Sequence, residues 1–222
     1  MDNQMKNIFA YLIKTRNIDP EIVSEQVRLG HLYQITDEKR RPQCLFVGFD
    51  ENGLWTSACV RAASASSKFK GDFPGCNYHR GCFFDPEWDH TQGKSDPSKR
   101  LLCFESYIEM ISYMTILKCG GYDYRQFAYL AYGSVTKTSC IRETCELYGY
   151  QTVSILFNND LEQENKSGQN RGQEAVALVM SELQNKGITV FNRIPGGGAN
   201  DWNDHLKTYK AKQIERKTAI ER

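Results

Sequence analysis

The feature that most constrains this chain is a change of period at Leu101. From there to Arg193, short apolar runs alternate with helical patterns that end at glycines. Leu101-Leu102-Cys103-Phe104 precedes a helix that turns Ile108, Ile111, Met114 and Leu117 inward and stops at Gly120-Gly121. A strand over 127–132 leads through Gly133 to a helix near 137–148. A strand over 152–157 is followed by a helix from about Gly172 to Lys186, and a strand over 188–193 closes the series. Strands alternating with helices predict a mainly parallel sheet, right-handed crossovers and helices on both faces. The expected fold class is α/β.

Acidic residues stand where such a sheet would bind a ligand. Glu105 follows the first apolar run, Asn158-Asn159-Asp160 the third, and Asp201 comes after the last run and its glycine turn. In open α/β sheets the crevice past the carboxyl ends of the strands is the binding place. Carboxylates gathered there suit a hard divalent cation such as Mg²⁺, which points to phosphate chemistry.

The first third has a different texture. Ile8, Phe9, Tyr11 and Leu12 give an apolar face at helical spacing. Asp19-Pro20-Glu21 reads as a helix start, and Gly30 as its stop. Cys44–Phe49, a turn at Asp50-Glu51-Asn52-Gly53 and Leu54–Val60 predict a hairpin. Residues 71–99, rich in Gly, Pro, Asp and Ser, read as one long irregular connection. The expected organisation is therefore a small N-terminal α+β subdomain over 1–99, an α/β domain over 100–206 and a polar, exposed helix or tail over 207–222.

Composition restricts the partners. Twenty-eight Lys and Arg balance 27 Asp and Glu, so a nucleic-acid surface has to be a local patch. Arg61, Lys68 and Lys70 form such a patch; Phe69, between two lysines, is expected to point inward from a strand. No run approaches membrane-spanning length, and eight cysteines without a signal peptide predict a cytoplasmic protein with free thiols. Cys76, His79, Cys82 and His90 offer soft ligands, but they crowd one loop without a Cys-x-x-Cys pair, so thiols rather than zinc are expected.

In order and spacing these residues resemble the Toprim domain of topoisomerases and bacterial primases. Glu105 in Phe104-Glu105-Ser106-Tyr107-Ile108-Glu109 matches the glutamate after the first strand, and Gly133 matches the glycine after the second. Asn158-Asn159-Asp160 resembles the Asp-x-Asp after the third, Gly172-Gln173-Glu174-Ala175 the start of the next helix, and Asp201-Trp202-Asn203-Asp204 the last acidic segment. Tyr11–Ile18, Phe46–Asp50 and Lys68–Asp72 resemble the piece that precedes Toprim in primase-like proteins of bacterial plasmids and integrative elements. The similarity covers roughly residues 5–206 and lacks the zinc-binding domain that fronts many primases.

The resemblance implies roles. Glu105 would move a proton at the reacting phosphate; Asp160, Asn158 and Asp201 would hold Mg²⁺, with Mn²⁺ as a substitute. Asn158 departs from the pattern, since an amide oxygen brings no charge. Losing one unit charge about 4 Å from a cation costs about 1 kcal/mol in water and about 4 at an effective dielectric of 20. Binding weakens by at least roughly tenfold in consequence. Glu109 or Glu162 would be the compensating carboxylates.

Two functions follow. One is Mg²⁺-dependent, primase-like nucleotidyl transfer or phosphodiester hydrolysis on DNA or RNA, chiefly single-stranded. The other is a catalytically impaired module that binds nucleic acid or a replication or mobilisation protein. Neither involves a membrane.

Overall fold

The computed structural model describes residues 5–67, 69–87, 95–159 and 171–220. Helix α1 (Lys6–Ala10) runs into a π-helical turn over Tyr11–Thr15, burying Ile8, Tyr11 and Leu12. Helix α2 (Pro20–Arg28) begins where predicted: Asp19 Oδ1 accepts the Glu21 amide at 2.9 Å, and Pro20 occupies the first turn. Its end is set by Gly30, whose φ of +77° strains any side-chain-bearing residue.

Four antiparallel strands follow, β1 (Leu32–Thr36), β2 (Pro42–Phe49), β3 (Trp55–Ala62) and β4 (Lys70–Asp72), paired in that order. The β2–β3 hairpin is the predicted one. β1 and β4 are additions, and β4 shows that the long stretch after Gly71 is not wholly irregular.

A second correction to that stretch is β5 (Cys82–Phe84), fully buried and antiparallel to β7 (Phe127–Ala131). The main sheet has the order β5-β7-β6-β8-β9, in which β7 runs parallel with β6 (Arg100–Phe104), β8 (Thr152–Leu156) and β9 (Thr189–Arg193). Helices α3 (Tyr107–Cys119), α4 (Ser139–Tyr148) and α5 (Arg171–Asn185) are the crossovers. The mainly parallel sheet flanked by helices is thus as the strand–helix alternation predicts.

Strand order fixes where the helices lie. The chain moves from β6 to β7 on one side, then crosses back to β8 on the other side of β6. Right-handed crossovers in opposite directions put α3 on one face and α4 and α5 on the other. The cores agree. Ile111 and Met114 of α3 pack with Ile8, Leu32 and Phe46, whereas Ile141 and Cys145 of α4 pack with Val179 and Leu183 of α5.

The antiparallel sheet is built into the main core. Phe46 of β2 stacks on Tyr107 of α3 with ring centres 4.3 Å apart, and Tyr107 donates its hydroxyl hydrogen to Gln26 of α2. Helix α6 (Trp202–Ile220), expected over 207–222 as a polar, exposed helix or tail, begins earlier and buries Trp202, Asn203 and Leu206. It continues without a break through residue 206. Among the described residues, no helix is long and apolar enough to cross a membrane.

Candidate functional site

β6 and β8 are neighbours whose crossovers leave in opposite directions, so the sheet's switch point lies at their carboxyl ends. Glu105 immediately follows β6, and Asn158 lies just past β8. Above them opens a cleft of about 350 Å³. Its floor includes Glu109, Asn158 and Asp201; its far wall carries Arg61, Lys70 and Arg16.

The floor is a knot of carboxylates joined by one amide. Asn158 Nδ2 donates to Glu105 Oε2 at 3.2 Å and lies 3.4 Å from Glu109 Oε1. Ser106, the N-cap of α3, accepts the Glu109 amide and donates its hydroxyl to Glu109 Oε1 at 2.7 Å. Glu109 is buried, and its Oε2 has no hydrogen-bond partner. Burial pushes its carboxyl up to about 8; the charges of Glu105 and Asp201 push the same way, against the hydrogen bonds from Ser106 and Asn158. Asp201 lies at the edge of the cleft, where its Oδ1 accepts the Asp204 amide at 2.7 Å and starts α6.

The wall is cationic. Arg61 and Lys70 are cross-strand partners on β3 and β4. Lys70 Nζ approaches Glu105 Oε1 at 3.5 Å, and Arg61 Nε is buried without a hydrogen-bond partner. Arg16 hangs beside them, held by Tyr11 Oη at 2.9 Å and Asn203 Oδ1 at 3.2 Å. Buried Asn203 also donates to the Arg16 carbonyl and to Ser112 Oγ, tying α6 to α3 and to the turn that carries Arg16.

The structure therefore brings Asn158, Asp201, Arg61 and Lys70 to one cleft and Glu105 to its border, in contact with Asn158 and Lys70. Asp160 and Lys68 lie outside the described residues, as do Glu162 and His90. Phe69 is a correction: it is 54% exposed, because β4 begins only at Lys70 and is an edge strand. Around the other sequence cluster, Cys76 exchanges hydrogen bonds with the Ala58 backbone, Cys82 is buried, and His79 faces Glu143 at 3.3 Å. Arg16, and the full weight of Glu109, are not legible in the sequence pattern. The Ser106-x-x-Glu109 capping box is the available signal for Glu109, since it turns that side chain back toward the strand end.

The donor set suits Mg²⁺. Among the described residues, no group of three His, Cys, Asp or Glu side chains could hold a metal ion. Mg²⁺, however, is usually held by one or two carboxylates, with waters and substrate phosphates filling the remaining positions. Glu105 and Glu109 can supply that share, and the unpartnered Glu109 Oε2 is an oxygen such an ion would satisfy.

Comparison with known proteins adds the fold's relatives. The family described as "Protein of unknown function (DUF3991)" matches residues 10–85. No curated protein matches the sequence. The primase fragment of the bacteriophage T7 primase-helicase protein superposes with a TM-score of 0.57 and 16% identity, over 91% of this chain and 71% of its own. A DnaG primase catalytic domain bound to single-stranded DNA gives 0.55 and 13%, over 97% and 75%. The RNA polymerase domain of Mycobacterium tuberculosis primase DnaG gives 0.53 and 11%, over 97% and 76%. At these identities the likeness is one of fold. Nearly the whole chain has the architecture of a primase catalytic core.

Proposed function

We propose that this chain is a Toprim-type protein that binds single-stranded DNA or RNA in the cleft. With Mg²⁺, or Mn²⁺ in its place, it carries out primase-like nucleotidyl transfer or phosphodiester hydrolysis. One observation carries the reading: at the switch point of a primase-core fold, Glu109 lines one cleft with Arg61 and Lys70, and Glu105 at its border contacts Lys70 and Asn158.

Each side chain has a task. Arg61 and Lys70, with Lys68 on the same segment, hold phosphate oxygens by charge-assisted hydrogen bonds. Glu105 takes the proton of the attacking hydroxyl or water, and Asn158 fixes its carboxylate by donating to Oε2. Glu109, with Asp160 and Asp201, would hold the divalent ion beside the charge of Glu105. When bound, that ion neutralises charge on the phosphoryl group and orients the leaving oxygen. The setting is the cytoplasm, among replication or mobilisation proteins.

A second reading rests on Asn158. Its amide nitrogen donates toward both carboxylates, as a cation would bind them, and so steadies the cleft without metal. This favours a catalytically impaired module that holds nucleic acid alone.

Labelled single strands incubated with nucleotides and Mg²⁺ or Mn²⁺ separate the two. Extension or cleavage by the wild type, lost in Glu105→Gln, supports the active reading. Nucleic-acid binding with neither product nor measurable metal binding overturns it in favour of the second.

A further inference from the structure

β4 spans three residues, and its alternate side chains, Lys70 and Asp72, share one side. Both reach across to the parallel sheet, with opposite polarity. Asp72 Oδ2 receives Lys137 Nζ at 2.5 Å, and Lys70 Nζ lies 3.5 Å from Glu105 Oε1. Lys137 sits on a short 3-10 turn over Val135–Lys137, just after Gly133. Gly133 has a φ of +90°, which glycine adopts without strain.

The two links differ in quality. The Lys137 and Asp72 side chains are 15% and 33% exposed, and Lys137 also lies over the Tyr78 ring. Lys70 is 59% exposed, and its ion pair is long. Short, sheltered pairs hold position, whereas long, exposed ones are screened and contribute little. Asp72–Lys137 therefore pins the strand, while the Lys70 ammonium is a loosely held head on a fixed root. That head has two places to go: back to Glu105, or out to an anion held beside its cross-strand partner Arg61, whose buried Nε–H donor has no acceptor.

We propose that Lys70 is an exchangeable counter-ion that couples cation occupancy of the Glu105–Glu109 carboxylates to the binding of nucleic-acid phosphate. Without a divalent ion, Lys70 neutralises Glu105. With one, two cations compete for the same carboxylate, and Lys70 is released to join Arg61 as a phosphate ligand. Ion and nucleic acid then strengthen each other's binding by the same factor, as linkage requires. This rests on the cleft being the metal and nucleic-acid site proposed above.

The test uses the full chain, wild type and Lys70→Ala, with a fluorescein-labelled oligothymidylate read by anisotropy. Salt series are run in EDTA and in low, fixed Mn²⁺, and free Mn²⁺ is followed by electron paramagnetic resonance. In the wild type, Mn²⁺ should tighten oligonucleotide binding about tenfold, within the usual range of coupling. Lys70→Ala should bind Mn²⁺ more tightly than the wild type when no oligonucleotide is present, because the competitor is gone. Its salt slope should fall by about one in Mn²⁺ and stay unchanged in EDTA. Equal or weaker Mn²⁺ binding in the variant, or the same loss of slope in both buffers, would overturn the exchange while leaving the cleft's function standing. Absence of both Mn²⁺ and oligonucleotide binding in the wild type would remove the reading of the cleft, and the coupling with it.

Discussion

At the scale of single residues, Glu109 is the most informative side chain in the cleft. Its carboxyl keeps its proton until about pH 8 in the folded protein, against an ordinary value near 4.5. Between those values the folded state binds more protons than the unfolded one, so stability falls as pH rises. The favourable contribution is complete below about 4.5 and is lost as the pH climbs through 8. Urea unfolding of the wild type at pH 5 and pH 8, compared with Glu109→Gln, should show a differential loss on the order of 3 kcal/mol. A parallel pH dependence in the two proteins would mean that Glu109 ionises normally. Asn158 makes the complementary prediction. Asn158→Asp places a third carboxylate beside Glu105 and Glu109, so the protein should melt earlier in EDTA yet bind Mn²⁺ at least about tenfold more tightly. Identical calorimetric titrations would show that position 158 does not face the ion. The place of Glu105 is legible in the sequence because an apolar run ends immediately before it. The importance of Glu109 is not, because it depends on how the first turn of α3 folds back over that strand end.

At the scale of elements, the two sheets meet closely at β2 and β5. Gly48 of β2 is a point of close approach: a Cβ there would stand 2.7 Å from Cys82 Cα and from the Gly81 carbonyl oxygen, both backbone atoms. Neither can move without shifting β5. Gly48→Ala should therefore destabilise the protein by about 1–3 kcal/mol, read as a lower urea midpoint with an unchanged slope. An unaltered midpoint would show that the sheets can separate freely. The hairpin, α2 and the four parallel strands are legible from period and capping, which are local signals. β5 is not, since three residues carry no periodicity and their strand character comes from pairing with β7. The beginning of α6 is hidden in the same way. Its polar average conceals Trp202 and Leu206, which dock on the core that contains α3. Phe69 departs from the expected alternation because the edge strand that would impose it starts one residue later.

At the scale of the whole molecule, a formal charge of +1 conceals a segregated cleft. Glu109 and Asp201 lie on one side of the cleft and Arg61 and Lys70 of the antiparallel sheet on the other, so both signs of charge line it. The chain has the architecture of primase catalytic cores over nearly all its length. In the function proposed, this cleft holds nucleic acid through Arg61 and Lys70 when a divalent ion is present. Anisotropy of a labelled single-stranded oligonucleotide, over a salt series in Mg²⁺, tests it most directly. Arg61→Ala/Lys70→Ala should weaken binding and reduce the slope of log K against log salt by about two units, one for each phosphate that is no longer neutralised. An unchanged slope in the double variant, or no binding by the wild type at low salt, would contradict the account.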